Sequence, residues 1–327
     1  AHTFPDQELK KVFYGWLQAL NDNSFIHQLP ERYKEHSFIA GSQKLPAWAD
    51  PKRMKAGSAF FVKHAEQIMQ LLGLLSLPYC YAAADGAMVL YLSRRLSNDS
   101  GKRLTDTAEF IWNVLSPEAF TDKGKGFSSC LAIRLTHAMA RHYTLQSEKW
   151  NLGIPVNQED MAGTNLAFSL IVVRGLRKLG YSISYDEQQS FIHLWGVIGF
   201  LLGVNEDLIP ADGKTAHALE EKIRLRHFKP SMQGRELTKS LIDYFGSFPG
   251  NKLPQQQLIG VMRHLLGNEI ATMLGLPEAD FSALMPGFLQ LTANLPALNS
   301  GGSVMAVYNR KYADYRKQIK AQVITAM

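Results

Sequence analysis

The segment AIRLTHAMARHY, residues 132–143, spaces Arg134, His137 and Arg141 three and four residues apart. At about 100° of rotation per helical residue, the three fall within an arc of about 60°, so a helix here carries two guanidiniums and an imidazole on one face. The other face, with Leu131, Ala132, Leu135 and Met139, is small and apolar enough to pack. Two cations within a turn disfavour a third charge, which leaves the His137 imidazole neutral with a free nitrogen lone pair, the form that ligates metal. If that face turns inward, the guanidiniums need anionic partners, because an unpaired buried charge costs several kcal/mol. No acidic residue follows until Glu148. One ligand bringing a metal and two carboxylates meets all three demands: haem b, with iron on His137 and propionates near Arg134 and Arg141. If the face turns outward, the same residues form a solvated basic surface, and spacing alone leaves both readings open.

The elements that must position these residues are helices. Segments of 3.6-residue period recur along the chain, and no Asn-Gly hairpin flanked by alternating β-branched residues is found. The pattern predicts an all-α, multi-helix domain with helices over Asp6 to Asn21, Lys52 to Leu75, Ala82 to Arg95, Thr107 to Leu115, Ser129 to Tyr143, Asn157 to Leu179 and Tyr185 to Leu202, and several after Thr215. Pro78, Pro117, Pro155 and Pro210 fall between these segments, and Gly180 follows Leu179 as a helix-closing glycine would. Residues 1–56 read as an N-terminal helix and irregular arm, 57–245 as the dense helical core, and 246–327 as further helices completing the same domain. The polar FPGNKLPQQQ (248–257) reads as a break, and RKYADYRKQIK (310–320) as a solvated face.

Composition narrows the chemistry further. The 327 residues, 46% hydrophobic and 20% charged, suffice for one large core and argue against disorder. A net charge of +6 comes without a dense Lys/Arg block or zinc-finger spacing, so no nucleic-acid partner is expected. Cys80 and Cys130 sit among apolar residues and read as buried thiols; without C-x-x-C or C-x-x-C-H, thiolate zinc and covalently attached haem are excluded. The apolar runs Ile68 to Leu77 and Gly199 to Val204 are too short for a membrane span of about 20 residues. The chain opens on Ala1 without a Met, compatible with removal of an export signal or a tag, and the compartment is left open.

Other candidate positions have plainer readings. In KGKGFSS (123–129) the G-x-G lacks a third glycine and a preceding strand, so it reads as a flexible turn with Ser128 or Ser129 capping the next helix, its lysines available to a propionate. His193, on an apolar helix, reads as a satisfied core histidine, and Asp85, within YAAADGAMVLYL, as a structural hydrogen-bonding acid or a base beside the haem. Glu-x-x-His, H-E-x-x-H and G-x-S-x-G are all missing, which argues against di-iron, zincin and serine-hydrolase chemistry.

RLTHAMARHY (134–143), preceded by RLTDT (103–107) and followed by VNQEDMAGTNLAFSLIVVRGLRKLG and FIHLWGVIGFLLGV, resembles the family of latex clearing proteins and MpaB-type oxygenases over roughly Gly57 to Gly203. The resemblance implies an all-α haem b protein with a globin-like helical core. By position, His137 matches the proximal iron ligand, with Arg134 and Arg141 flanking it and His142 in the same motif. Arg103 and Thr107 match pocket residues on the other side of the haem, Arg103 to donate a hydrogen bond to dioxygen and Thr107 to orient it or a water. In the rubber-cleaving members the residue before that Thr is a Lys able to cap the iron; here it is Asp106. A carboxylate cannot replace an amine ligand, and it places negative charge near dioxygen unless protonated or paired, for instance with Arg103. Asp106 also reads as the N-cap of a helix from Thr107, with Glu109 at N3. The implied activity is oxidative cleavage of a C=C bond, with dioxygen and an apolar or polyisoprenoid-like molecule as reactants. Haem peroxidase or peroxygenase chemistry, and haem sensing without turnover, are alternative uses of the same pocket.

Overall fold

Asp50 starts the first long helix: its carboxylate accepts from the backbone N–H groups of Lys52 and Arg53, and Pro51 takes the first helical position. The computed structural model describes residues 15, 21–28, 39, 41–94, 100–246, 254–278 and 302–325. We number its α-helices α1 Pro51–Leu71, α2 Leu77–Tyr81, α3 Ala84–Arg94, α4 Ser100–Leu115, α5 Gly126–Leu145, α6 Gln158–Phe168 and α7 Leu170–Lys178. Then follow α8 Tyr185–Leu202, α9 Gly213–His227, α10 Met232–Gly246, α11 Gln255–Leu266, α12 Asn268–Met273 and α13 Val304–Thr325. The architecture is all-α: among the described residues there is no strand, only an isolated bridge between Ala83 and Phe228. No helix is long and apolar enough among them to cross a membrane.

Helices α1 and α8 form the centre of the packing. They approach closely because Gly57 has no side chain: a Cβ there would lie 2.5 Å from the Ser190 carbonyl oxygen. The core gathers Phe61, Trp112, Phe191 and Trp195 with residues as distant as Ile26 and Tyr308. Helix α13 is therefore more than the solvated face its charges suggested. Its Tyr308 hydroxyl donates to the Trp112 carbonyl at 2.8 Å, and Tyr312 and Tyr315 pack on the Trp112 ring, while Arg310, Arg316 and Lys317 point outward.

Several boundaries differ from those read in the sequence, each for a local reason. Pro78 lies inside helical structure, at the start of α2, because a π-helical turn over Leu72–Ser76 widens the backbone ahead of it and so accommodates the proline ring. The expected helix 157–179 is broken at the buried Ser169, whose backbone leaves helical geometry and whose hydroxyl donates to the Asn165 carbonyl at 2.8 Å. Helix α4 begins at Ser100, so Asp106 lies in its middle and is not an N-cap. Neither Ser128 nor Ser129 caps α5, whose N-cap position is Lys125. The turn before α5 is tight instead of flexible. A Cβ on Gly124 would fall 2.0 Å from the Glu118 carbonyl oxygen, and the Gly126 N–H donates to the Ala119 carbonyl at 2.6 Å. Gln255–Gln257 open α11 after Pro254. The expected helix 6–21 and residues 248–253 lie outside the described residues, apart from isolated positions.

Within α1, His64 departs from helical backbone geometry and is buried with neither ring nitrogen hydrogen-bonded. Burial holds its pKa down, from 6.5 to about 4. Between these values the unfolded chain binds a proton that the folded chain does not, so the stability gained from a neutral His64 is complete above pH 6.5 and is lost on descending toward pH 4. We expect the urea midpoint to fall between pH 7 and pH 5, and to fall less in His64→Leu, which has nothing to protonate. Equal losses in the two proteins would contradict this origin.

Candidate active site

Between α2, α3, α4, α5, α6, α8, α9 and α10 lies a cavity of about 510 Å³, walled mainly by aliphatic and aromatic side chains. Helix α5 gives it the stripe Ile133, Thr136, His137 and Ala140, at the spacing that puts four residues along one helix face. The opposite face of α5 buries Leu131 and Leu135 as its pattern requires. His137 stands at the seam. The centre of its cavity stripe lies roughly 100° around the helix from Arg134 and Arg141, and neither arginine lines the cavity.

The two arginines are held at the ends of neighbouring helices. Arg141 donates from Nε to the Pro155 carbonyl at 3.1 Å and from its terminal nitrogen to the Val156 carbonyl at 2.6 Å. Half-buried Arg134 reaches the C-terminal end of α8 near Gly203, where the carbonyl end of the helix favours a cation. Burial pulls its pKa below the usual guanidinium value. His142 contacts Gln146 at 3.1 Å and the Tyr143 ring, away from the cavity.

The imidazole of His137 is neutral. Burial, reinforced by the Arg141 charge, lowers its pKa from 6.5 to about 4. Its Nδ1 is buried without a hydrogen-bond partner, an arrangement that leaves ring lone-pair capacity uncommitted to protein. Arg103, Asp106 and Thr107 of α4 line the same cavity. Arg103 donates to the Leu90 carbonyl at 3.3 Å, and the Thr107 hydroxyl donates to the Arg103 carbonyl at 2.7 Å, so toward the cavity Thr107 offers lone pairs only. Four of the seven residues singled out in the sequence thus converge. The other three, Arg134, Arg141 and His142, sit on α5 outside the cavity lining.

The polar wall built by α9 has no signal in the sequence. Glu220, Ile223, Arg224 and His227 face the cavity at helical spacing, a stripe that looks in sequence like an ordinary charged surface. Buried Glu220 accepts a short hydrogen bond from the Tyr79 hydroxyl and another from Arg174 at 2.8 Å, with Arg224 at 3.8 Å. Burial, together with the Glu220 charge, raises the Tyr79 pKa well above the usual phenol value. His227 pairs with Glu159 at 2.6 Å, and burial raises the pKa of neighbouring Asp160, whose carboxylate accepts from the Asn157 N–H at 3.1 Å. Asp85 pairs with Lys229 at 3.1 Å. His193 accepts the Asp50 N–H at 2.9 Å and so positions the start of α1. Cys80 and Cys130 are free thiols; burial pushes Cys80 up to about 12. Lys123 and Lys125 are exposed and do not line the cavity.

As to cofactors, the donor set fits haem better than a bare ion. Among the described residues, no three His, Cys, Asp or Glu side chains gather to hold a metal, whereas one neutral imidazole at an apolar cavity suits a metal that brings its own equatorial ligands.

Comparison with known proteins gives the fold and the family. The solved structure of latex clearing protein LCP in the closed state aligns over 92% of this chain and 86% of its own, with a TM-score of 0.73 at 22% identity, and so shares the fold. The rubber oxygenase of Streptomyces sp. (strain K30) is 25% identical over 264 residues; the alignment takes in 79% of this chain but only 64% of that relative's length. A family model described as "ER-bound oxygenase mpaB/B'/Rubber oxygenase, catalytic domain" matches residues 57–294, well past the Gly203 limit of the motifs. On that match, which takes in every cavity helix described above, the chain belongs to the MpaB and rubber oxygenase catalytic-domain family.

Proposed function

We propose that this chain is a haem b-dependent oxygenase that adds dioxygen across an apolar alkene and cleaves the C=C bond to two carbonyl products. The observation that carries the reading is the neutral His137 imidazole in the same apolar cavity as Arg103, Asp106 and Thr107. His137 would hold the iron; Arg134 and Arg141 flank it along α5 outside the cavity lining and would have to turn from their present contacts to meet the porphyrin's carboxylates. When bound, haem supplies the iron that activates dioxygen.

The protein's own part follows from its side chains. Leu104, Phe110 and Ile133 keep the cavity dry, which strengthens every polar contact within it. Arg103 presents guanidinium N–H donors toward a reacting oxygen, and Thr107, its own proton engaged, accepts one from a water or substrate. Family membership and the relative named rubber oxygenase support an alkene of polyisoprenoid type. Asp106, in place of an iron-capping Lys, argues against rubber itself and leaves haem sensing without turnover as the second reading.

A Soret band in the purified protein tests the cofactor. Oxygen uptake with a panel of terpenoid and polyisoprenoid alkenes, with carbonyl products identified by mass spectrometry, then separates enzyme from sensor. Asp106→Lys is expected to shift the visible spectrum toward a six-coordinate species; an unchanged spectrum would show that position 106 does not reach the iron.

A further inference from the structure

The link between α5 and α6 is unusual for an exposed segment. Of ten large hydrophobic side chains exposed among the described residues, two lie in the link, Leu152 and Ile154, the latter 66% exposed, and two more, Tyr143 and Leu145, in the last turn of α5 just before it. Loops normally carry polar residues, and a cluster of exposed apolar ones marks a contact surface.

The segment is also held in shape. The Trp150 indole N–H donates to the Gly153 carbonyl at 2.8 Å, which fixes the turn that presents Leu152 and Ile154. Arg141 ties Pro155 and Val156 back to α5. Val156 adopts φ 52°, a left-handed conformation that costs a β-branched residue about 1–3 kcal/mol and persists only where its surroundings impose it. This same Val156 lines the cavity, two residues along the chain from exposed Ile154.

We propose that residues 143–156 form a docking lip that seats the protein on a neutral hydrocarbon phase, the surface of a droplet or particle of its own apolar substrate, and feeds chains from that phase past Val156 into the cavity. The inference rests on the apolar-alkene reading above, because a water-insoluble substrate must be collected from a separate phase. Charge selects the occupant. Adsorption to an anionic membrane uses clustered Lys and Arg, whereas here Lys149 is offset by adjacent Glu148. A second copy of the chain is disfavoured by size, since four side chains fall well short of the roughly 800 Å² that each partner in a stable complex contributes.

The test separates docking from turnover. Flotation with an emulsion of squalane, a saturated hydrocarbon that cannot be cleaved, measures adsorption alone. The wild-type protein is expected to partition to the oil, and Leu152→Glu/Ile154→Glu to partition at least tenfold less, with an unchanged far-UV circular dichroism spectrum; Leu145→Glu provides an independent variant. With an alkene substrate, the double variant should lose activity on an emulsified water-insoluble terpenoid alkene and keep it on a short, water-soluble alkene. Equal flotation of variant and wild type would overturn the proposal. So would equal binding of the wild type to phosphatidylcholine vesicles, or a dimer that the substitutions dissociate. Squalane adsorption without turnover of any alkene would instead sink the oxygenase reading and leave the lip standing.

Discussion

His137→Ala is expected to purify without a Soret band, with haem affinity lowered more than about 100-fold, since losing a ligand exceeds the 10–100-fold loss seen when only a supporting contact to one is removed. Oxygen uptake with any alkene should fall to background. The fold should survive. His137 makes no hydrogen bond through its buried Nδ1, so no polar group is orphaned by the change, and α5 retains its packing through Leu131 and Leu135. The unfolding midpoint measured without haem should therefore move little. His137→Gly supplied with imidazole should recover part of the Soret absorbance, because the free ring re-enters the space vacated. Wild-type haem content in His137→Ala would sink the ligand assignment.

Glu220→Ala is expected to have the largest effect on stability. One carboxylate serves Tyr79, Arg174 and Arg224 from a position 4% exposed. Its removal leaves a hydroxyl without its acceptor and two guanidiniums without the charge between them. Breaking a buried pair in this way costs 3–5 kcal/mol; Arg174 is partly solvated, so about 3 kcal/mol is expected, read as a lowered urea midpoint. Glu220→Gln, which keeps an acceptor for Tyr79 but loses the charge, should lose less. A loss below about 1 kcal/mol in the alanine variant would mean that the network is held from elsewhere. Because Tyr79 and Arg224 also form the cavity wall, haem content and substrate affinity should fall alongside stability.

Much of the site was legible because its chemistry is local. His137 follows Arg134 by three residues, and Arg103, Asp106 and Thr107 occupy one turn of α4, so helical periodicity alone brings each group to one side of its helix. Asp106 was ambiguous for the same reason: an N-cap and a mid-helix acid differ only in where the helix starts, and the sequence offers capping residue types at Ser97, Asn98 and Asp99 as well as at Asp106. The wall of α9 was hidden. Glu220, Arg224 and His227 resemble any solvated helix face until Tyr79, Arg174 and Glu159, each distant in sequence, are brought against them.

The sequence by itself determined the helical class and the spacing that sets an imidazole between two arginines, since both follow from periodicity within a few residues, whereas the burial that keeps the imidazole neutral came from the packing. Only the tertiary structure decided how far α5 is rotated about its own axis. That rotation turns Ile133, Thr136, His137 and Ala140 into the cavity and sends the arginines to the end of α8 and the 155–156 carbonyls. The physical reason is that a helix buries whichever stripe leaves the fewest polar groups unsatisfied, and that depends on partners the local sequence does not contain.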